Sequence, residues 1–491
     1  MSSTTLTDPV SPSEVSGQRP LFVDMDDTLL EGDTLWESLA VMVRRNPKGL
    51  FAVAASLPKG RVAFKQAVAR NVDVTLEDFK VNEGVLSFIQ EAGAHRPVIL
   101  ATAAHEQIAR RIADDTGVFQ DVIATTDGKN LKSGNKLVAI QDYLKAHEMG
   151  PAFDYIGDCG ADRPIWAAAG RAHVCAGSDA QAADIAGIVP VEKSFHREAP
   201  SARHFIKAMR PHQWVKNFLI FLPVILAHEI FNFDKVLPAI VAFIAFSLTA
   251  SATYMWNDIL DIQADRAHAK KCKRPFAASL IPIPLGVAFS LALIAFSCLI
   301  TLIFCPPATV LVILGYIAIT LSYSLDLKRR LMLDVIVLGV LYGYRIMLGG
   351  VATGIAVSSW LIGFSVFFFF GLALVKRYTE IEKKPPGEDG RIAGRAYYSS
   401  DREVVGVIGI VASFISVLVM ALYITSPTVA VLYSRPEPLW TVCLVLIYWI
   451  SRVWMLTHRG HMPDDPIVFA LKDKVSIMCG IVCAVAVAAA L

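Results

Sequence analysis

Asn257, Asp258, Asp261 and Asp265 lie in the run NDILDIQADR, where a long apolar stretch ends. Steps of three and four residues put the carboxylates on one face of a helix. Carboxylates crowded in this way repel one another unless a hard cation sits among them. KKCKRP follows within one loop and supplies cations for a diphosphate. The pattern predicts a Mg2+ site for a phosphorylated substrate at a membrane surface, with Asn257 adding a neutral oxygen or a donor to phosphate.

A second set of residues lies far upstream. Asp24, Asp26 and Thr28 stand in DMDDT, directly after the apolar run LFV. A carboxylate at a strand end can attack phosphorus, and a second one two residues on can serve as general acid and then base. The run PVILAT ends in Thr102, a hydroxyl placed to hold a phosphoryl oxygen. Lys136, in SGNK, offers a cation for transition-state charge. Asp158 and Asp162, in GDCGAD, are suited to hold Mg2+ together with Asp24 and Asp26.

These two sets need different scaffolds. Of 491 residues 54% are hydrophobic and mean hydropathy is +0.49, more than a wholly soluble chain carries, and the excess is uneven. Residues 1–19 lack a basic start and an apolar core and read as a disordered tail. Residues 20–193 read as a soluble α/β domain. Strand-like runs at LFVDMD, PVILAT, DVIATT, FDYIGD and RAHVCA alternate with helical stretches, the signature of a parallel sheet covered on both faces. A helical insertion at about 30–95 is placed to cap the carboxyl end of that sheet. Residues 194–216 form a linker with a basic interfacial segment. Over 217–491 nine apolar spans can be drawn, at about 217–233, 236–256, 281–304, 308–325, 333–351, 358–375, 404–425, 438–456 and 474–491.

Lys and Arg concentrate in alternate loops. Lys270, Lys271, Lys273 and Arg274 follow the second span, Lys328, Arg329 and Arg330 the fourth, and Lys376, Arg377, Lys383 and Lys384 the sixth. The opposite loops carry little beyond Lys235 and Arg435. The positive-inside rule therefore puts the N-terminal domain and both acidic sets on the cytoplasmic face of a bacterial-type inner membrane. Eight scattered cysteines make neither a disulfide framework nor a zinc signature. Net charge is +2, and no nucleic-acid partner is expected.

The DMDDT, PVILAT, SGNK and GDCGAD runs together resemble the haloacid dehalogenase phosphatase superfamily. The resemblance implies a Rossmann-like fold with a helical cap, Asp24 as nucleophile, Asp26 as acid and base, Thr102 and Lys136 as phosphate holders, and Mg2+ beside Asp158 and Asp162. NDILDIQADR resembles the first aspartate motif of the UbiA-type prenyltransferase superfamily, which implies an all-α domain of about nine transmembrane helices. Ordinary members carry a second acidic motif. Here the corresponding stretch is YSLDLKRRLMLD, in which Lys328, Arg329 and Arg330 follow Asp326.

Further runs resemble the decaprenyl-phosphate phosphoribosyltransferase branch. RPHQWVKN contains Lys216, YSLDLKRRLMLDVIVLGVLYGYRIMLGG contains Tyr323, Lys328, Arg345, Gly349 and Gly350, and VKRYTEI contains Lys376 and Arg377. That branch implies phosphoribosyl pyrophosphate as donor and a polyprenyl phosphate as acceptor. Mg2+ would lie on Asp258 and Asp261, assisted by Asn257 and Asp265. Lys216, Tyr323, Lys328, Arg329, Arg345, Lys376 and Arg377 are the candidates to hold the two anions. With one Mg2+ at least in each domain, the chain is expected to transfer 5-phosphoribosyl to lipid and then remove the 5-phosphate. The alternative is an aromatic prenyltransferase of a quinone or haem pathway with an unrelated phosphatase.

Overall fold

A computed structural model of the chain describes residues 19–126, 128, 130–158, 160–383, 390–392, 395–463 and 465–491. The expected tail, except Arg19, and Lys384 lie outside these residues. Two compact units are present: 1–208 together with 255–288, and 209–254 together with 289–491.

The first unit holds a six-stranded parallel sheet ordered β3-β2-β1-β4-β5-β6. Its strands are β1 (Leu21–Val23), β2 (Val98–His105), β3 (Asp121–Thr125), β4 (Asp154–Gly157), β5 (Arg171–Ala176) and β6 (Val191–His196). Five fall on the expected runs. β6 was not foreseen, because VEKSFH is mostly exposed and charged, as suits an edge strand. It carries the domain to His196, past residue 193. β1 and β4 are continuous buried runs and β2 is buried except for the half-buried Ala103, as strands covered on both faces require. Phe22, Ile99, Tyr155 and Trp166 pack one face, and Val23, Leu100, Ile108 and Ile112 the other.

The helices of this region are α1 (Thr34–Arg45), α2 (Gly49–Ser56), α3 (Arg61–Asn71), α4 (Glu83–Gly93), α5 (Glu106–Thr116), α6 (Gly134–Ala146), α7 (Arg163–Ala168), α8 (Asp179–Ala186) and α9 (Ala202–Met209). Asp33 caps α1, accepting from Leu35 N at 2.9 Å and Trp36 N at 3.4 Å. An antiparallel bridge between Leu30 and Val81 closes the neck of the insertion. α1 to α3 therefore lie within the insertion between β1 and β2, and α4 returns the chain towards β2.

The remaining helices are α10 (Leu222–Leu226), α11 (Phe233–Leu260), α12 (Ile262–Arg266), α13 (Ile283–Phe304), α14 (Ala308–Leu325), α15 (Leu333–Thr353), α16 (Ser359–Lys383), α17 (Arg402–Ile424), α18 (Pro427–Leu432), α19 (Trp440–His458), α20 (Pro466–Lys472) and α21 (Lys474–Ala490). Among the described residues seven helices are long and apolar enough to cross a membrane, and α20 with α21, bent by 77°, would make an eighth. The chain is thus an integral membrane protein, and nine spans are slightly more than the seven or eight found among the described residues. The expected span at 217–233 is not one of them. It is eleven residues of 3-10 helix, Pro211–Phe221, followed by the five-residue α10. Pro223 lacks an N–H to continue an α-helical ladder there.

Close packing of the second unit depends on small residues. A Cβ on Gly349 would come 2.0 Å from the Ile220 carbonyl oxygen, and one on Gly409 would come 2.4 Å from the Trp454 ring.

Candidate active sites

In the first unit, the chain leaves β1 at Asp24 and turns sharply. Asp26 is extended and Asp27 has φ 57°, so DMDDT winds back on itself instead of starting a regular helix. Asp24 is held from two sides. Its Oδ1 accepts from Met25 N at 2.8 Å, and its Oδ2 lies 2.8 Å from Lys136 Nζ. Lys136 also donates to Tyr155 Oη at 3.0 Å and lies 3.4 Å from Asp162 Oδ1, while Tyr155 Oη donates to Asp162 at 3.0 Å. Asp24, Asp158 and Asp162 each offer an oxygen within 4.8 Å of the others. That is a donor set for a hard divalent cation, so the residues fit Mg2+.

The electrostatics agree with such a site. Burial pushes the Asp24 carboxyl up to about 6, against the pull of Lys136. Burial, then Asp24, Asp27 and Asp162, pushes Asp158 up to about 8, with Arg197 opposing. Burial alone would lower Lys136, but Asp24 and Asp162 more than offset it and hold the ammonium above its usual range. Crowded buried carboxylates of this kind are relieved by a cation.

Asp26 stands apart from this acidic group. Its Oδ1 accepts from Thr34 N at 2.8 Å, and burial followed by the charge of Asp33 holds it well above the usual carboxylate range. A carboxyl shifted towards its protonated form in this way suits an acid. Thr102 is fully buried at the sheet's carboxyl end, its Oγ1 accepting from Ala104 N at 3.1 Å.

Three residues around this acidic group were missed. Tyr155 bridges Lys136 and Asp162. Arg197 reaches Asp27 at 2.5 Å and Asp158 at 3.7 Å. Lys65, on α3, donates to Asn130 Oδ1 at 3.1 Å and feels the charges of Asp26 and Asp33, while burial lowers its own pKa. Arg197 lay beyond the expected domain edge, and cap residues carry no spacing signal.

The aspartate run also belongs to the first unit. The helical face expected for its carboxylates is broken, because α11 ends at Leu260 and Asp261 is a turn residue before the short α12. Asp258, Asp261 and Asp265 do not form a close three-carboxylate group like that around Asp24. Arg274 draws two of them towards itself, at 3.2 Å from Asp258 Oδ1 and 2.6 Å from Asp265 Oδ2, and Arg44 lies 3.3 Å from Asp261 Oδ1. The Asn257 carbonyl accepts from Asp261 N at 2.9 Å. Arg274 thus takes up two of the four residues assigned to Mg2+.

In the second unit, Lys216 is buried and pairs with Asp465, which caps α20 by accepting from Ile467 N at 3.2 Å and Val468 N at 3.3 Å. Arg345 is 4% exposed inside α15. Its Nε donates to Asn217 Oδ1 at 2.9 Å, and its guanidinium lies 5.2 Å from the Phe246 ring and 5.4 Å from the Tyr342 ring. Arg377 is buried against Asp334 at 2.6 Å and also pairs with Glu380, while Tyr397 Oη donates to Asp334 at 2.6 Å. Arg377 is therefore part of a buried network, not an open cation. Arg395, also missed, joins Glu380 at 3.4 Å and donates to the Lys328 carbonyl at 3.2 Å. Tyr323, Lys328 and Lys376 are half-buried and Arg329 is exposed. A cavity of about 780 Å³ opens beside Lys216, lined by Phe218, Leu222, Phe368, Trp449 and Ile467 among other apolar side chains.

Comparison with known proteins places both regions. Residues 218–472 match the model of the UbiA prenyltransferase family, and residues 21–166 match that of haloacid dehalogenase-like hydrolases. A Sinorhizobium fredii protein, y4nM, is 36% identical over 464 residues, 94% of this chain and 89% of its own length. Nodulation protein NoeC of Azorhizobium caulinodans is 32% identical over 56% of this chain and 89% of its own. The decaprenyl-phosphate phosphoribosyltransferase of Mycolicibacterium smegmatis is 30% identical over 55% of this chain and 86% of its own. The chain belongs to the UbiA prenyltransferase family and carries an N-terminal haloacid dehalogenase-like hydrolase domain.

Proposed function

We propose that this chain makes a polyprenyl-phosphoribose in two steps on the cytoplasmic face of a bacterial inner membrane. The acidic group Asp24, Asp158 and Asp162, with Lys136, carries the two-step reading, because it sits on the same chain as a membrane domain related to decaprenyl-phosphate phosphoribosyltransferases. In the first step the polyprenyl phosphate oxygen attacks C1 of phosphoribosyl pyrophosphate. The C1–O bond to pyrophosphate breaks as the new phosphodiester forms. The acceptor is already an anion, so no strong general base is needed, but cations must bring two anions together. Lys216, Arg345 and Lys376 are assigned that work, with Tyr323, Lys328 and Arg329 at the polar end. Asp258 and Asp261 would hold Mg2+, which when bound neutralises the leaving pyrophosphate.

In the second step Asp24 attacks the 5-phosphate of the lipid-linked sugar. The P–O bond to the sugar breaks, Asp26 gives its proton to the leaving alcohol, and an aspartyl-phosphate forms on Asp24. Asp26 then takes a proton from water, which releases phosphate and restores Asp24. Lys136 and Thr102 hold the phosphoryl oxygens, and Asp158 and Asp162 would hold the second Mg2+. One chain carrying both sites keeps the second at high effective concentration near its substrate.

The experiment is to supply membranes bearing the protein with labelled phosphoribosyl pyrophosphate and a polyprenyl phosphate. Label should enter lipid, and Asp258→Asn or Asp261→Asn should abolish it. Transfer of a prenyl group from a prenyl diphosphate to an aromatic acceptor, with no labelled lipid, would contradict the reading.

A further inference from the structure

The stretch carrying Asp258, Asp261 and Asp265 is fastened to the phosphatase cap within the first unit. Arg266, the residue after Asp265, places all five of its N–H donors. Nη1 and Nη2 fork onto the Glu37 carboxylate at 2.8 and 2.9 Å. Nη1 also donates to the Asp78 carbonyl at 2.9 Å, Nη2 to Ser279 Oγ at 3.0 Å and Nε to the Ala277 carbonyl at 3.1 Å. Glu37 lies on α1 and is 5% exposed. Gln263, in the middle of the same run, donates to Asp78 Oδ1 at 2.6 Å, and Arg45 of α1 forks onto that carboxylate at 2.7 and 3.0 Å. Gly32 leaves the room this needs, since a Cβ there would meet Glu37 Oε1 at 2.3 Å.

A buried, fully hydrogen-bonded Arg–Glu fork contributes little net stability, because desolvation offsets much of the attraction. It does fix register strongly, since any shift leaves a buried charge unmatched. The fork joins a phosphatase-cap helix to the residue next to a transferase carboxylate, and neither enzyme's own chemistry calls for that. We propose that the phosphatase cap is the positioning element of the transferase's aspartate run, the Glu37–Arg266 fork anchoring the run so that Asp258, Asp261 and Asp265 can exchange Arg274 and Arg44 for the metal and diphosphate. Arg266 and Glu37 are positioning residues that touch no reacting atom. Arg44, 3.3 Å from Asp261 Oδ1, occupies that carboxylate until the cation arrives. The inference rests on the transferase reading given above.

The test uses the intact protein in membranes, as wild type, Glu37→Gln and Arg266→Lys. Two rates are read: label transfer to lipid at varied Mg2+, and hydrolysis of p-nitrophenyl phosphate. Each variant should need about tenfold more Mg2+ for half-maximal transfer, the scale of one lost charge-assisted bond. The rate at saturating Mg2+ and the hydrolysis should stay near wild type. Hydrogen–deuterium exchange gives a readout without turnover. Protection of the 257–268 peptide by Mg2+ with pyrophosphate should set in at the same higher Mg2+. Unchanged Mg2+ dependence in both variants, or equal loss of both activities, would overturn the inference. A wild type that transfers no label would instead defeat the phosphoribosyl reading, and the exchange titration would still decide the role of the fork.

Discussion

Arg345 Nε donates to Asn217 Oδ1 at 2.9 Å, joining two residues 128 positions apart in the chain. Asn217 in turn donates to Ser247 Oγ at 2.9 Å. A guanidinium inside a membrane helix is costly unless its donors are matched. The end of the RPHQWVKN run therefore holds an arginine of the YGYRIMLGG run in place. Asn217→Leu should leave a buried donor unmatched, destabilise the membrane domain by about 1–3 kcal/mol and lower lipid transfer. Thermal melting of the purified protein in detergent and the labelled-lipid assay check this, and full transfer by the variant would place Arg345 outside the reaction.

Gly349 meets the Ile220 carbonyl so closely that even a methyl group does not fit. The obstacle is backbone, which cannot swing aside as a side chain can. Gly349→Ala should force the Pro211–Phe221 segment away from α15, costing about 1–3 kcal/mol. The expected result is a lower melting temperature with phosphatase turnover unchanged at a temperature where both proteins are folded.

Lys136 is the cation between Asp24 and Asp162. Lys136→Met keeps most of the volume and removes the charge. Hydrolysis of a small phosphomonoester should fall by roughly a hundred- to a thousandfold, the scale of losing one preorganised charge stabiliser. Transfer of label to lipid should continue, so the two assays separate local chemistry from collapse of the chain.

His173 lies fully buried in β5, and neither ring nitrogen has a hydrogen-bond partner among the described residues. Burial pushes its pKa down to about 4 from the usual 6.5. The folded form is thus neutral where the unfolded chain takes a proton. Stability is fully present above about pH 6.5 and is lost as pH falls from there towards about 4, by an amount on the order of 3 kcal/mol. Thermal inactivation of the phosphatase should accelerate as the pH falls through that onset, from about 7 to about 5. His173→Phe, which keeps the ring packed near Phe88, should flatten the dependence.

Much of this was legible in the chain, for reasons that differ by element. β1, β2 and β4 announce themselves because strands covered on both faces must be apolar throughout, while β6 is an edge and carries VEKSFH. Asp24, Asp158 and Asp162 could be picked out because strand ends in such a sheet converge at one edge. Tyr155 could not, since a buried tyrosine in a strand reads as core. The spans from α11 onward follow hydropathy. The 217–233 stretch is just as apolar, but Pro223 and tight winding break it into short pieces, which hydropathy does not register. The aspartate run shows the limit of periodicity. Its spacing predicts one helical face, but the helix ends at Leu260 and Arg274, sixteen residues beyond Asp258, rearranges the carboxylates. The commitment of Arg377 to Asp334 and Tyr397 depends on long-range packing that no local pattern carries.

The central claim, that one chain first makes and then dephosphorylates a lipid-linked ribose phosphate, is tested most directly by Asp24→Asn. Asn keeps the shape of the side chain and removes the nucleophile. Mass spectrometry of lipids made from phosphoribosyl pyrophosphate and polyprenyl phosphate should find polyprenyl-phosphoribose with the wild type. The variant should accumulate the species heavier by one phosphate group. The same lipid from both proteins would contradict the account.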